Sequence, residues 1–207
     1  MRDMKLVALP MLLIAGLLVT GVGYACWSQT IYAKGTVASG DLCWEFTACS
    51  VLDTSGNDYH CYENFEDHTF WMGDKDVGSS SCEIVDPHTV EVTLNNVYPC
   101  YFTSVSVYAH NCGSTPFFIE NVVIDGVVLT ELPTPVVKLD LDNDGLDDIE
   151  IWWGNAIGEQ VDPCEVTPEM SFWIHVLQEA PQGATLQFTI SLNIVQWNES
   201  SHWTGGT

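Results

Sequence analysis

Short runs of alternating apolar and polar residues, separated by turn residues, dominate the chain from residue 89 onward. Residues 89–94 read TVEVTL and residues 102–108 read FTSVSVY, so every second side chain lies on one face. A longer run of the same kind covers residues 185–195, and Asp125-Gly126 between two apolar runs predicts a β-hairpin. Because helical periodicity is nearly absent from these runs, we predict an all-β fold, an antiparallel β-sandwich.

The start of the chain has the three parts of a signal peptide. Arg2 and Lys5 precede thirteen uncharged residues at 6–18, and a small-x-small exit ends at Ala25. The apolar run is shorter than the roughly 20 residues of a membrane span. We therefore assign residues 1–25 to a signal peptide and expect no stable membrane span after its cleavage. An uncleaved membrane anchor is the alternative.

The chain is strongly acidic, with 28 acidic and 5 basic residues. Removal of the signal peptide takes away Arg2, Asp3 and Lys5, which leaves a net charge of −24. Such a surface repels nucleic acid and anionic membranes, so we expect neither as a partner. Hydrophobic residues make up 46% of the chain, which is enough for a sizeable core and argues against disorder.

All eight cysteines follow the predicted cleavage point. An even number of cysteines in an exported chain predicts disulfides, and no Cys-x-x-Cys pair or zinc-type spacing is present in the sequence. Eight cysteines allow roughly a hundred full pairings, so the sequence leaves their connectivity open. The predicted disulfide residues are Cys26, Cys43, Cys49, Cys61, Cys82, Cys100, Cys112 and Cys164.

A run of aspartates at residues 140–148 has the spacing of the start of a calcium loop, with a glycine after the third carboxylate. Ile151 stands where an EF-hand requires glutamate, and the flanking residues favour strands. We predict a β-hairpin loop that binds a structural Ca²⁺; a solvated turn is the alternative. The candidate ligands are the side chains of Asp140, Asp142, Asp144 and Asp148 and the carbonyl oxygen of Leu146.

Sequence motifs of catalysis are missing. The chain contains no His-Glu-x-x-His, no Gly-x-Ser-x-Gly and no phosphate-binding glycine loop, so we expect no enzymatic activity. Asn198 begins an N-glycosylation sequon, which suits an exported protein. The adjacent Trp152 and Trp153 fall in a predicted strand, where we expect one to face the core and the other to face outward.

Several segments together resemble the TasA/camelysin group of biofilm fibre proteins, and in particular archaeal bundling-pilus subunits. The order and spacing of these segments are more specific than any one of them. The matching residues after the signal peptide are Trp27, Ser28, Thr30, Gly35, Val37, Ser39, Gly40 and Leu42, and the later matches are residues 94–101, 144–166 and 176–199.

This resemblance implies a jelly-roll-like sandwich with a protruding N-terminal strand that polymerises outside the cell. In donor-strand complementation the N-terminal segment of one subunit adds as a strand to the next, so the partners are copies of the same chain and neighbouring filaments in bundles. The implied layout is a donor segment at 26–39, a sandwich at 40–199 with a polar insertion near 53–81, and a tail at 200–207. The donor strand would comprise Trp27, Ser28, Gln29, Thr30, Ile31, Tyr32, Ala33, Lys34, Gly35, Thr36 and Val37.

A second interpretation is a secreted monomer that binds a glycan or a cell-surface polymer with the help of Ca²⁺. The acidic loop and exposed Trp or Tyr side chains would carry this function. The protease activity attached to the camelysin name is not expected, because the chain has no metal-hydrolase motif. A measurement of assembly size would separate the filament subunit from the monomer.

Overall fold

A computed structural model describes residues 10–18, 40–53, 56–61, 70–129, 136–154 and 157–201. The chain divides into two units, Met1–Ser39 and Gly40–Thr207. In the first unit, residues 10–18 of the predicted signal peptide form an α-helix. Among the described residues, no helix combines the length and the apolar character that a membrane crossing requires. The predicted donor strand at 27–37 lies outside the described residues.

Within the described part of the second unit, strands form two antiparallel sheets that pack as a sandwich, which confirms the predicted all-β class. The seven-stranded sheet contains β1 (Trp44–Val51), β2 (Tyr59–Cys61), β3 (Phe70–Met72), β6 (Tyr101–Asn111), β9 (Val137–Leu139), β10 (Ile149–Gly154) and β12 (Met170–Val176). The six-stranded sheet contains β4 (Ser79–Asp86), β5 (Thr89–Val97), β7 (Phe117–Ile124), β8 (Val127–Leu129), β11 (Gln160–Val161) and β13 (Ala184–Gln196).

The strands with the clearest alternation lie at the centre of each sheet. β13 lies between β5 and β7, and β12 lies between β6 and β10. In β5 every second residue from Val90 to Leu94 is fully buried, because the two-residue period of a strand directs these side chains to the core. The predicted hairpin at Asp125-Gly126 is confirmed: it joins β7 to β8, and both residues have positive φ.

One hydrophobic core fills the space between the sheets. It is built from β-branched and aromatic side chains of both inner faces, with Val105 and Phe172 from the larger sheet and Phe188 and Ile190 from the smaller one. Each such side chain contributes roughly 1.5–3 kcal/mol when it is fully buried. Most of the stability of the sandwich therefore comes from this shared core.

The predicted polar insertion at 53–81 contributes more to the sheets than its composition indicated. β2 and β3 extend the larger sheet beyond β6, and Ser79 already belongs to β4 of the smaller sheet. On the same side of the sandwich, β1 and β4 are joined by a disulfide between Cys49 and Cys82. The insertion is thus partly built into the edge of the sandwich.

Candidate functional site

The acidic loop connects β9 to β10, which pair as an antiparallel hairpin. The backbone N–H of Asp148 donates a 2.8 Å hydrogen bond to the Leu139 carbonyl and closes the loop. Asn143 and Gly145 have φ values of +62° and +93°. Glycine adopts this left-handed conformation without steric cost and asparagine tolerates it, so the Asn-Asp-Gly sequence explains the sharp turn.

Three of the predicted metal ligands lie together. Carboxylate oxygens of Asp140, Asp142 and Asp148 all lie within 4.8 Å of one another. Asp148 is only 1% exposed, and its Oδ2 accepts hydrogen bonds from the N–H groups of Leu141 (2.7 Å) and Asp142 (3.1 Å). A buried carboxylate beside two others gives the loop a concentrated negative charge.

This carboxylate group fits the requirements of Ca²⁺. Calcium binds oxygen ligands at roughly 2.3–2.6 Å, so oxygens on opposite sides of one ion are separated by about 5 Å. Burial, and then the neighbouring charge of Asp148, raise the pKa of the Asp142 carboxyl, although the N–H of Asp144 opposes this shift. A divalent cation among these carboxylates would relieve their repulsion. Asp140, Asp142 and Asp148 would then hold the ion.

The other two predicted ligands have a different place in the structure. The Asp144 carboxylate is not part of the three-residue group: its Oδ1 accepts a 2.8 Å hydrogen bond from the Leu146 N–H, while its own N–H donates to Asp142 Oδ1 at 3.0 Å. Asp144 therefore shapes the turn through an Asx-type bond. Leu146 contributes to this turn through the hydrogen bond of its backbone N–H, and its side chain is exposed.

Two disulfides tie the start of the sandwich to distant strands. Cys43, just before β1, pairs with Cys112, just after β6, at a Cα–Cα distance of 5.0 Å. Cys49 in β1 pairs with Cys82 in β4, at a Cα–Cα distance of 6.2 Å, and so links the two sheets. Both pairings join chain positions that are far apart in sequence, which is why spacing alone left them open.

The other four cysteines take no part in these two bridges. Cys100 and Cys164 form no disulfide with another cysteine of the described residues, so their pairing stays a prediction. Both lie in turns with positive φ. Cys26 and the side chain of Cys61 lie outside the described residues.

The predicted glycosylation site lies in the turn after β13. Asn198 is exposed, as glycan attachment requires. The hydroxyl of Ser200, the third residue of the sequon, is buried and donates a 2.9 Å hydrogen bond to Glu120 Oε2. The sequon is therefore held to β7 by this serine while its asparagine faces solvent.

Trp152 takes part in a second, smaller hydrophobic cluster that sequence reasoning missed. Trp152 lies opposite Trp173 in the β10–β12 ladder, and both pack with Tyr59 around the buried Phe102. Phe70 of β3 stacks on Phe102 with ring centroids 4.6 Å apart. The cluster joins β2 and β3 to the centre of the larger sheet, and only the pairing of distant strands reveals it.

Comparison of the chain with protein-family models, with curated proteins and with solved structures gave no match. The resemblance to TasA-like fibre proteins therefore stays a prediction from the sequence.

Proposed function

We propose that this protein is a structural subunit of an extracellular filament that polymerises by donor-strand complementation. The segment at 27–37 has a composition that favours a strand, and Lys34 is its one charged residue. It would extend from its own subunit and add as a strand to the next one. Head-to-tail contacts of this kind produce open fibres when their rotation does not close a ring. The signal peptide, the disulfides and the acidic surface suit a soluble exported subunit.

The observation that carries the proposal is the contrast between the two sides of the sandwich. The side formed by β1 and β4 is closed by the Cys49–Cys82 disulfide. At the other end of the smaller sheet, β8 pairs with only three residues of β7, and β11 pairs with two others. An edge strand presents backbone N–H and C=O groups that an incoming strand can use.

Exposed apolar side chains also favour this edge of the smaller sheet as the acceptor for the donor strand. Val127 and Val128 of β8 are 42% and 51% exposed. Exposed valines on an edge strand favour pairing with another chain, because added strands bury such side chains and complete the ladder. The donor segment offers Ile31, Tyr32 and Val37 as apolar residues to cover them. Its single Lys34 would meet a strongly acidic neighbour.

The test is a deletion of residues 27–37 from the purified mature protein, followed by negative-stain electron microscopy. We expect the shortened protein to stay monomeric, while a variant that lacks residues 202–207 still assembles. A second variant, Ile31→Asp, places a charge in the donor strand without shortening the chain, and Ile31→Val is its matched control. Filaments formed by the deletion variant at the normal rate would refute the proposal.

A Ca²⁺-dependent monomeric binding module is the second candidate, and the carboxylate group of Asp140, Asp142 and Asp148 favours it. In that case the mature protein would remain monomeric with Ca²⁺ present. Light scattering across a concentration series, with and without chelator, separates the two candidates. Calcium would stabilise the acidic loop in either one.

A further inference from the structure

We propose that each subunit binds a neutral saccharide in a cleft beside the β2–β3 hairpin. The cleft has a volume of about 640 Å³, which is large enough for a few sugar rings. Three separate segments line it: the β2–β3 hairpin with the loop that follows, the end of β5, and the turn before β13. The proposal does not depend on filament formation, because one subunit supplies every residue named here.

Aromatic rings form one wall of the cleft. The indole of Trp71 is 42% exposed, and its ring centroid lies 5.6 Å from that of His60. The His60 ring lies in turn 5.7 Å from the ring of Tyr98. Exposed aromatic faces in a cleft suit the flat C–H faces of sugar rings, which combine apolar contact with the π-system.

A buried carboxylate fixes this wall from behind. The Tyr98 hydroxyl donates a 2.7 Å hydrogen bond to Asp58 Oδ2, and the same oxygen accepts 3.0 Å hydrogen bonds from the N–H groups of Val77 and Gly78. The Asp58 side chain is completely buried. These contacts hold the Tyr98 ring and the loop after β3 in one arrangement. A wall that is already ordered loses little entropy when a ligand binds.

Polar side chains also line the cleft. Gln182 and the oppositely charged pair Asp74 and Lys75 provide both donors and acceptors for hydroxyl groups. The Asn96 amide nitrogen donates to the Val77 carbonyl at 2.7 Å, which fixes its orientation and leaves Oδ1 as an acceptor in the cleft. A few fixed polar groups around an aromatic wall are typical of sites that orient a hydroxylated ligand.

Charge selects a neutral ligand. The net charge of the chain is strongly negative and repels anions, so acidic polysaccharides and phosphorylated ligands are disfavoured. Asp74 and Lys75 line the same cleft, so their opposite charges offset each other there and neither sign of ligand charge is favoured. An apolar ligand would leave the polar groups of Asp74, Asn96 and Gln182 without partners, which costs free energy. A neutral oligosaccharide satisfies both the aromatic and the polar parts.

The test uses neutral hexasaccharides built from glucose, mannose, xylose and N-acetylglucosamine as separate probes. Quenching or enhancement of tryptophan fluorescence and affinity electrophoresis measure binding to the mature protein. We expect at least one probe to bind, and Trp71→Ala to weaken its binding at least about tenfold. Met72→Ala changes an exposed residue of the same strand outside the cleft, and we expect it to bind as the parent does.

A second variant distinguishes a loss of saccharide binding from a folding defect. Gln182→Ala removes only a polar group at the surface of the cleft, so we expect weaker binding with an unchanged melting temperature. Circular dichroism melts of all variants check that the sandwich is intact. Absence of binding by every probe up to about 10 mM, a concentration at which even weak sites fill, would overturn the proposal. Full binding by Trp71→Ala and Gln182→Ala together would overturn it as well.

Discussion

The Tyr101 hydroxyl donates a 2.7 Å hydrogen bond to Asp53 Oδ2, and both side chains are buried. Burial raises the pKa of the Asp53 carboxyl above its ordinary value; the Tyr101 hydrogen bond opposes this shift, and the charges of Asp58 and Asp76 add to it. The folded state therefore binds a proton more tightly at Asp53 than the unfolded state does. As a result, the Asp53 contribution to the free energy of unfolding falls as pH rises from about 4 through the folded pKa.

The pH dependence of stability tests this relationship. We expect Asp53→Asn to remove part of the fall in the free energy of unfolding above about pH 4, because asparagine has no proton to lose. Urea unfolding followed by fluorescence at several pH values measures the slope. Glu179→Gln, at an exposed turn residue, is the control and should leave the slope unchanged. An unchanged slope in Asp53→Asn would show that the carboxyl titrates alike in both states.

The two disulfides should contribute similar amounts to the free energy of unfolding. Cys43 and Cys112 are 69 residues apart and Cys49 and Cys82 are 33 apart, so loop closure predicts about 4 kcal/mol for each. We expect the paired Cys→Ser variants to lower the free energy of unfolding by this amount, with the longer loop costing slightly more. Urea unfolding at pH 7 measures both. A loss of less than about 1 kcal/mol would mean that the reduced chain is already restricted.

The carboxylate group of the acidic loop could be predicted because its members are local in sequence. Asp140 and Asp148 are eight positions apart, and the intervening Asn-Asp-Gly dictates the turn that brings them together. The cleft of the proposed saccharide site could not be predicted, because Trp71 and Gln182 are distant in sequence and belong to segments of different sheets that line one cleft only in the folded sandwich. Spacing carries no signal for such a site.

The strands that could be predicted are likewise those whose signal is local in the sequence. β5 and β13 were predictable because each buries one clean face against the core. β1 was missed because a register shift between Phe46 and Ala48 breaks its alternation. β2 and β3 have only three residues each, and their place is set by the pairing of β2 with β6 and of β3 with β2. Tertiary contacts, which the local pattern does not contain, fix these elements.

Removal of Ca²⁺ should destabilise the protein if the acidic loop binds it. At a free concentration of 100 times the dissociation constant, the ion stabilises the fold by about 2.7 kcal/mol. We expect excess EDTA to lower the melting temperature by roughly 5–10 °C for a domain of this size. Asp148→Asn should abolish that difference, whereas Asp147→Asn, an exposed neighbour outside the carboxylate group, should retain it. An unchanged melt of the parent protein in EDTA would identify the loop as a turn without metal.

A charge at the proposed acceptor edge should block assembly without unfolding the subunit. Val128→Lys places an ammonium group on β8, where Val128 is 51% exposed, and a charged side chain on an edge strand opposes strand addition. Val85→Lys is a matched control, because Val85 is 49% exposed on β4 at the closed side. We expect sedimentation and electron microscopy to show monomers for Val128→Lys and filaments for Val85→Lys, with similar melting temperatures for both. Filaments from both variants would show that β8 is not the acceptor edge, because the introduced lysine would then face solvent and not an incoming strand.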